Sequence, residues 1–131
     1  MAATAVRRDA ATAEFFDGTA RGQFLLRHCA DCGELAEPDV AGCPDCESQQ
    51  LGWQPASGGA TVVSWAVVHH RSPDGQPRQP SVVVIAQFDE GPFWWAEVLD
   101  ADPAQMAAGQ RLRLTFEQVP DHETVPAFLL A

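Results

Sequence analysis

The chain has 131 residues, 46% of them hydrophobic and 20% charged, which is the size and balance of one compact domain or a small docked module and too short for two full domains. Acidic residues outnumber basic ones 18 to 8, giving a formal charge of -10; every cation is Arg, and both Lys and Tyr are missing. Those absences exclude a Schiff-base amine and a phenolic acid from any catalytic site, and the charge, with its few Arg residues scattered, argues against nucleic acid or an anionic membrane as partner.

The first 11 residues, rich in Ala and Thr, show no apolar period and read as a frayed tail. From Thr12 to Arg21 a short helix is expected, with Asp9 or Thr12 as its cap, Glu14 in the first turn, Phe15 and Phe16 as anchors, and Gly18 and Gly22 limiting its length. The next stretch, Phe24 to about Trp53, holds every cysteine and the turn formers Pro38, Gly42 and Pro44, so it needs a staple in place of a conventional core.

Beyond Ser57-Gly58-Gly59 the pattern becomes β. Strands are expected over Thr61–His69 and Ser81–Phe88, separated by a proline-rich loop from Arg71 to Pro80. Asp89-Glu90-Gly91-Pro92 reads as a tight turn into a third strand, Phe93–Leu99. Asp102-Pro103 opens a helix of barely two turns that Gly109 stops. Arg111–Glu117 alternates strictly as a half-buried strand should, and Thr124–Leu130 supplies a fifth. Five strands with a short helix between the third and fourth is the order of an OB-fold barrel. The expected division is a tail and short helix over 1–23, a ribbon over 24–57 and a barrel over 58–131, mainly β throughout.

The cysteines form the pattern C-x2-C-x10-C-x2-C: Cys29, Cys32, Cys43 and Cys46. Each knuckle curls two sulfurs towards one point, so two knuckles close a tetrahedron with no open position, the mark of a structural site. Two disulfides are the competing reading, set aside by the absence of a secretory apolar segment at the N-terminus. Zinc, one per chain, is the expected ion; iron, which four thiolates also bind, is the alternative that spacing leaves open. Four thiolates and a divalent ion bring the net charge to about -12. Glu47 follows the second knuckle where Gly33 follows the first, leaving its local geometry unsettled. No run is apolar enough for the roughly 20 residues of a membrane helix, and a cytoplasmic location is the expectation.

The chain resembles the DUF35 family, a rubredoxin-like zinc ribbon joined to an OB-fold and associated with acyl-CoA metabolism. The resemblance covers about residues 13–131. It rests on Phe15-Phe16 and Gly22, on Leu26-Arg27-His28-Cys29-x-x-Cys32-Gly33 and Cys43-Pro44-x-Cys46, on Gly59-x-x-Val62-Val-Ser-Trp65, on Asp89-Glu90-Gly91-Pro92, and on Gly109 before the Arg111–Phe116 strand. It implies a non-catalytic accessory subunit in a hetero-oligomer. The partner it implies is a thiolase-superfamily enzyme: an acyl-CoA thiolase, an acyltransferase or a steroid side-chain retro-aldolase. A MaoC-like hydratase is a further candidate, acyl-CoA is met only through the complex, and the partner carries the catalytic residues.

The residues agree with a non-enzyme, since Ser64, Ser72 and Ser81 sit in no nucleophile motif. His69 and His70 are neighbours on a strand end, pointing to opposite faces, with His70 the candidate to meet a partner; His28 and His122 are given no chemistry. Trp94 and Trp95 likewise alternate, so one enters the barrel and the other faces outward as an interface anchor. Arg71 and Arg78 on the proline-rich loop are candidates for a CoA phosphate or a partner's carboxylates. Trp53 and Trp65 read as packing between ribbon and barrel. A single-stranded nucleic-acid module and a rubredoxin-like electron carrier are the alternative functions.

Overall fold

A computed structural model describes residues 6–76 and 78–131. Helix α1 (Ala13–Ala20) leads into a three-stranded antiparallel sheet of β1 (Leu25–Cys29), β2 (Leu35–Ala36) and β3 (Leu51–Pro55), in the order β2-β1-β3. Then come β4 (Gly59–Val68), β5 (Ser81–Phe88), β6 (Phe93–Val98), β7 (Arg111–Glu117) and β8 (Val125–Leu130). They close into a barrel in the order β4-β5-β6-β8-β7, with β4 meeting β7 through Gly59–Thr61. The β6–β8 contact is parallel, at Val98 and Phe128, and the other barrel pairings are antiparallel. This is the five-stranded OB barrel that the strand order predicted.

Alternation fills the barrel. Val82, Val84, Ala86 and Phe88 of β5 all point inward and are buried, while Ile85 between them faces out. Phe88 and Phe128 meet inside at 5.9 Å, and Phe24, on the approach to β1, closes the same cluster at 4.7 Å from Phe88. Phe15 of α1 and Trp94 of β6 stack around Phe24 at 5.2 Å each. One aromatic cluster therefore joins helix, ribbon and barrel, and Phe24 is its centre.

Four expectations are corrected. Residues 1–5 of the expected tail lie outside the described residues, but 6–11 are held in place: Val6 packs on the core and accepts the Glu123 N–H, and Arg8 bridges Asp17 and Glu123. Gly18 does not end α1. It lies buried inside the helix because the Leu25 side chain occupies the space a Cβ would need, and Gly22, at φ 77°, makes the turn instead. The expected helix after Asp102 is only a 3₁₀ turn, Pro103–Gln105. Asp102 caps it as predicted, accepting from the Ala104 N–H at 3.0 Å, but Met106 is extended and drawn into the core, which stops the helix there. Trp65 does not pack between ribbon and barrel. It lies 39% exposed on the part of β4 beyond its pairing with β7, whereas Trp53 packs on the core as expected, under the Arg27 guanidinium.

Candidate metal centre and exposed aromatic face

The ribbon turns place the four cysteine sulfurs within 4.8 Å of one another. Cys29 and Cys46 Sγ are 3.6 Å apart, and Cys32 and Cys43 Sγ are 3.5 Å apart. A tetrahedron of thiolates around an ion at about 2.3 Å has edges of about 3.8 Å, so this spacing fits a single four-thiolate metal ion. Cys29 and Cys43 are buried and Cys32 and Cys46 exposed, as for a site at the tip of a ribbon.

Both knuckles have the same backbone geometry. Gly33 N–H donates to Cys29 O at 2.9 Å, and Glu47 N–H donates to Cys43 O at the same distance. The residue in the left-handed region is Gly33 in one, at φ 80°, and Glu47 in the other, at φ 66°. Glu47 thus takes the conformation a glycine would take, at the strain a side chain brings there. The turned backbone aims N–H groups at sulfur. Donors from Cys32 and Asp31 pull the Cys29 thiol down to about 6. At Cys32 the Glu34 N–H also pulls down, but desolvation and the neighbouring thiols outweigh it and hold the group up at about 12. One thiolate forms readily and its neighbours resist a second negative charge, a conflict that a cation resolves.

The other candidate residues fall in two places. His70 is turned inward, its Nε2 2.7 Å from Ser81 Oγ, and so fastens the base of the proline-rich loop. Ser81 is 4% exposed and also hydrogen-bonds Glu97, whose carboxyl is pushed up by burial and by Glu117. Arg71 and Arg78 are exposed on the same loop, whose Ser72–Gly75 turn is closed by Gly75 N–H donating to Ser72 O, and Pro77 of that loop lies outside the described residues.

Trp94 and Trp95 split as alternation requires. Trp94 turns in towards Phe15 and Phe24, while Trp95 is 71% exposed. The residues sequence reasoning missed are those around Trp95. Phe93 is exposed with it on β6, Ile85 on β5 and Val63 on β4, and Glu37 and Asp39 of the ribbon reach the cleft beside it. Anchoring the β5 alternation on Phe88 would have found Ile85; nothing local to Glu37 would have placed it against a strand 48 residues further on.

The fold and the site together define a four-cysteine ribbon docked on an OB barrel through a shared aromatic cluster. A family model described as the C-terminal OB-fold domain of ChsH2 matches residues 53–117. The chain belongs to the DUF35 family. It is 33% identical over 110 residues to the 3-oxo-4,17-pregnadiene-20-carboxyl-CoA hydratase alpha subunit of Mycobacterium tuberculosis; that match takes in 84% of the chain but only 35% of the subunit, about a third of its length. It is 26% identical over 92 residues to a DUF35 domain-containing scaffold protein of Methanothermobacter thermautotrophicus, covering 70% of this chain and 69% of that one. Among solved structures, the Ltp2-ChsH2(DUF35) aldolase superposes with a TM-score of 0.80 at 25% identity over 98% of both chains. A DUF35 protein of unknown function from Sulfolobus solfataricus superposes at 0.67 and 16% identity over 93% of this chain and 86% of that one, a likeness of fold alone.

Proposed function

We propose that this chain is a non-catalytic accessory subunit of an acyl-CoA enzyme of the thiolase superfamily, in steroid or lipid breakdown. In this reading zinc fixes the ribbon, Trp95 anchors the partner, Arg71 and Arg78 lie at the edge of the contact, and the partner holds the catalytic residues. The observation that carries it is Trp95, a large aromatic 71% exposed at the centre of an apolar face. The names of the relatives point the same way, to a scaffold and to a subunit of a hydratase or aldolase.

One further reading loses support on the same face. A single-strand-binding OB-fold stacks bases on aromatics between cations, and here the neighbours of the aromatics are Glu37 and Asp39. An electron carrier requires iron in the site. The test is co-purification of the tagged full chain from its native host, with native mass spectrometry of the complex. A thiolase-superfamily enzyme in stoichiometric complex, one zinc per chain, and a partner less active without this chain is the expected result. A monomer carrying iron, single-strand binding at moderate salt, or a partner equally active alone would each overturn it.

A further inference from the structure

The exposed large apolar residues of the described chain, Val63, Trp65, Val68, Ile85, Phe93 and Trp95, all lie on the consecutive strands β4, β5 and β6. Register puts Ser64, Ile85 and Trp95 in one row across the three strands. Trp95 and Ile85 wall two clefts. One, of about 280 Å³, runs to Trp65 and Ser64; the other, of about 270 Å³, runs past Phe93 to the carboxylates of Glu37 and Asp39 on the ribbon. No ion pair engages Glu37 or Asp39 among the described residues. An apolar floor therefore ends at one side in two carboxylates that make no ion pair among the described residues.

Resting on the accessory-subunit reading, we infer that this face receives a segment of the partner protein that carries apolar side chains for the two clefts and an Arg or Lys for Glu37 and Asp39. A guanidinium at that end would meet two carboxylates and the edge of an aromatic wall formed by Phe93, Trp94 and Trp95, the surroundings that favour a cation over any other side chain. A free small molecule fits less well, because each cleft is open and smaller than the roughly 300 Å³ at which ligand pockets begin. A second copy is disfavoured by charge: two chains of -10 would bring acidic rims together.

The test uses the zinc-loaded full chain and two probes. The first is a pair of capped peptides, one alternating Leu with Arg and the other Leu with Glu, followed by tryptophan emission. The Arg peptide is expected to bind and to shift the emission, with binding lost in Trp95→Ala and weakened about tenfold in Glu37→Gln/Asp39→Asn; the Glu peptide is expected not to bind. Equal binding of both peptides, or of neither, overturns the inference and leaves the accessory role standing. The second probe is the co-purified partner. Trp95→Ala should weaken it by about 30-fold or more, and the amide variants should flatten the salt dependence of association. A partner that binds both variants as tightly as the parent chain overturns this surface but not the accessory role, whereas failure of the parent chain to bind any thiolase-superfamily enzyme defeats that role first. Trp95→Phe, which keeps an aromatic on the same exposed site, should restore most of the binding and so separates lost contact from lost fold.

Discussion

The ribbon and the barrel solve the same problem by opposite means. The barrel buries alternate side chains of β5 and seals them with Phe88 and Phe128, so its strands hold one another by apolar packing. In the ribbon, residues 30–35 and 37–42 contribute nothing fully buried, and the knuckles rest on Cys29 and Cys43. A segment of that length cannot bury enough surface to fix its turns, and what stands in place of a core is four cysteine sulfurs within 4.8 Å of one another. Stability in one half is a property of side-chain shape, and in the other it would come from coordination of an ion by the four sulfurs. Phe24 and Leu26 belong to both, since they begin the ribbon in sequence and are fully buried in the barrel's cluster.

Removing the metal should break this contrast most severely. Structural zinc sites contribute on the order of 10 kcal/mol to folding, so Cys43→Ser, or a strong chelator, is expected to abolish metal binding and hydrogen-exchange protection over residues 25–55. Protection in β5, β7 and β8 should remain. Equal loss in both regions would mean that the barrel has no independent stability. Next in size is Phe24→Ala, which deletes the centre of the shared cluster and should cost about 3–5 kcal/mol in denaturant unfolding while leaving metal content unchanged.

Gly18→Ala is a smaller break at the same junction. A Cβ there would lie 2.6 Å from Leu25 Cγ, so an overpacking cost of about 1–3 kcal/mol is expected, and Gly18→Ala with Leu25→Val should recover part of it. Glu47→Gly sharpens the comparison in the other direction. It removes a side chain from a left-handed residue, which should stabilise the ribbon by about 1 kcal/mol, seen as slower metal loss to a chelator, with barrel unfolding unaffected.

The smallest effect belongs to the barrel seam. Asp89 takes two bonds from Arg111, at 2.8 and 2.9 Å, which hold its carboxyl below the usual range. A folded-state value below the unfolded one gives stability that is present above the unfolded value and lost as pH falls through the folded one. The pair is about half exposed, so its worth is modest. Asp89→Asn should melt slightly lower than the parent at neutral pH, and the two melting temperatures should converge as the solution is acidified through the carboxylate range.

Where physics is local, the sequence was readable. The β5 strand runs over the residues its β-branched and aromatic run indicates and β7 over those its alternation indicates, Asp102 caps the turn it is expected to cap, and the C-x2-C spacing brings four sulfurs together. What could not be read depended on distant neighbours. Gly18 looks like a helix stop until Leu25 is seen against it, and Met106 looks helical until the core claims it. Trp65 reads as packing between ribbon and barrel until β4 is seen to pair with β7 only through Thr61, with a register shift after Val62. The knuckle at Glu47 was a matter of backbone conformation, which residue type alone does not determine.

The strand order also sets a timetable for synthesis. β8 pairs with β6 on one side and β7 on the other, yet it comes last of the barrel strands, so nothing upstream can close the cylinder before Val125–Leu130 has left the ribosome. The four thiols have all emerged long before, by an interval on the order of ten seconds at typical elongation rates. The two knuckles can therefore come together while the β4–β6 meander is still half a barrel with its inner face uncovered. Until β8 arrives, Phe24 and Phe88 lack the Phe128 ring that completes their cluster in the finished barrel.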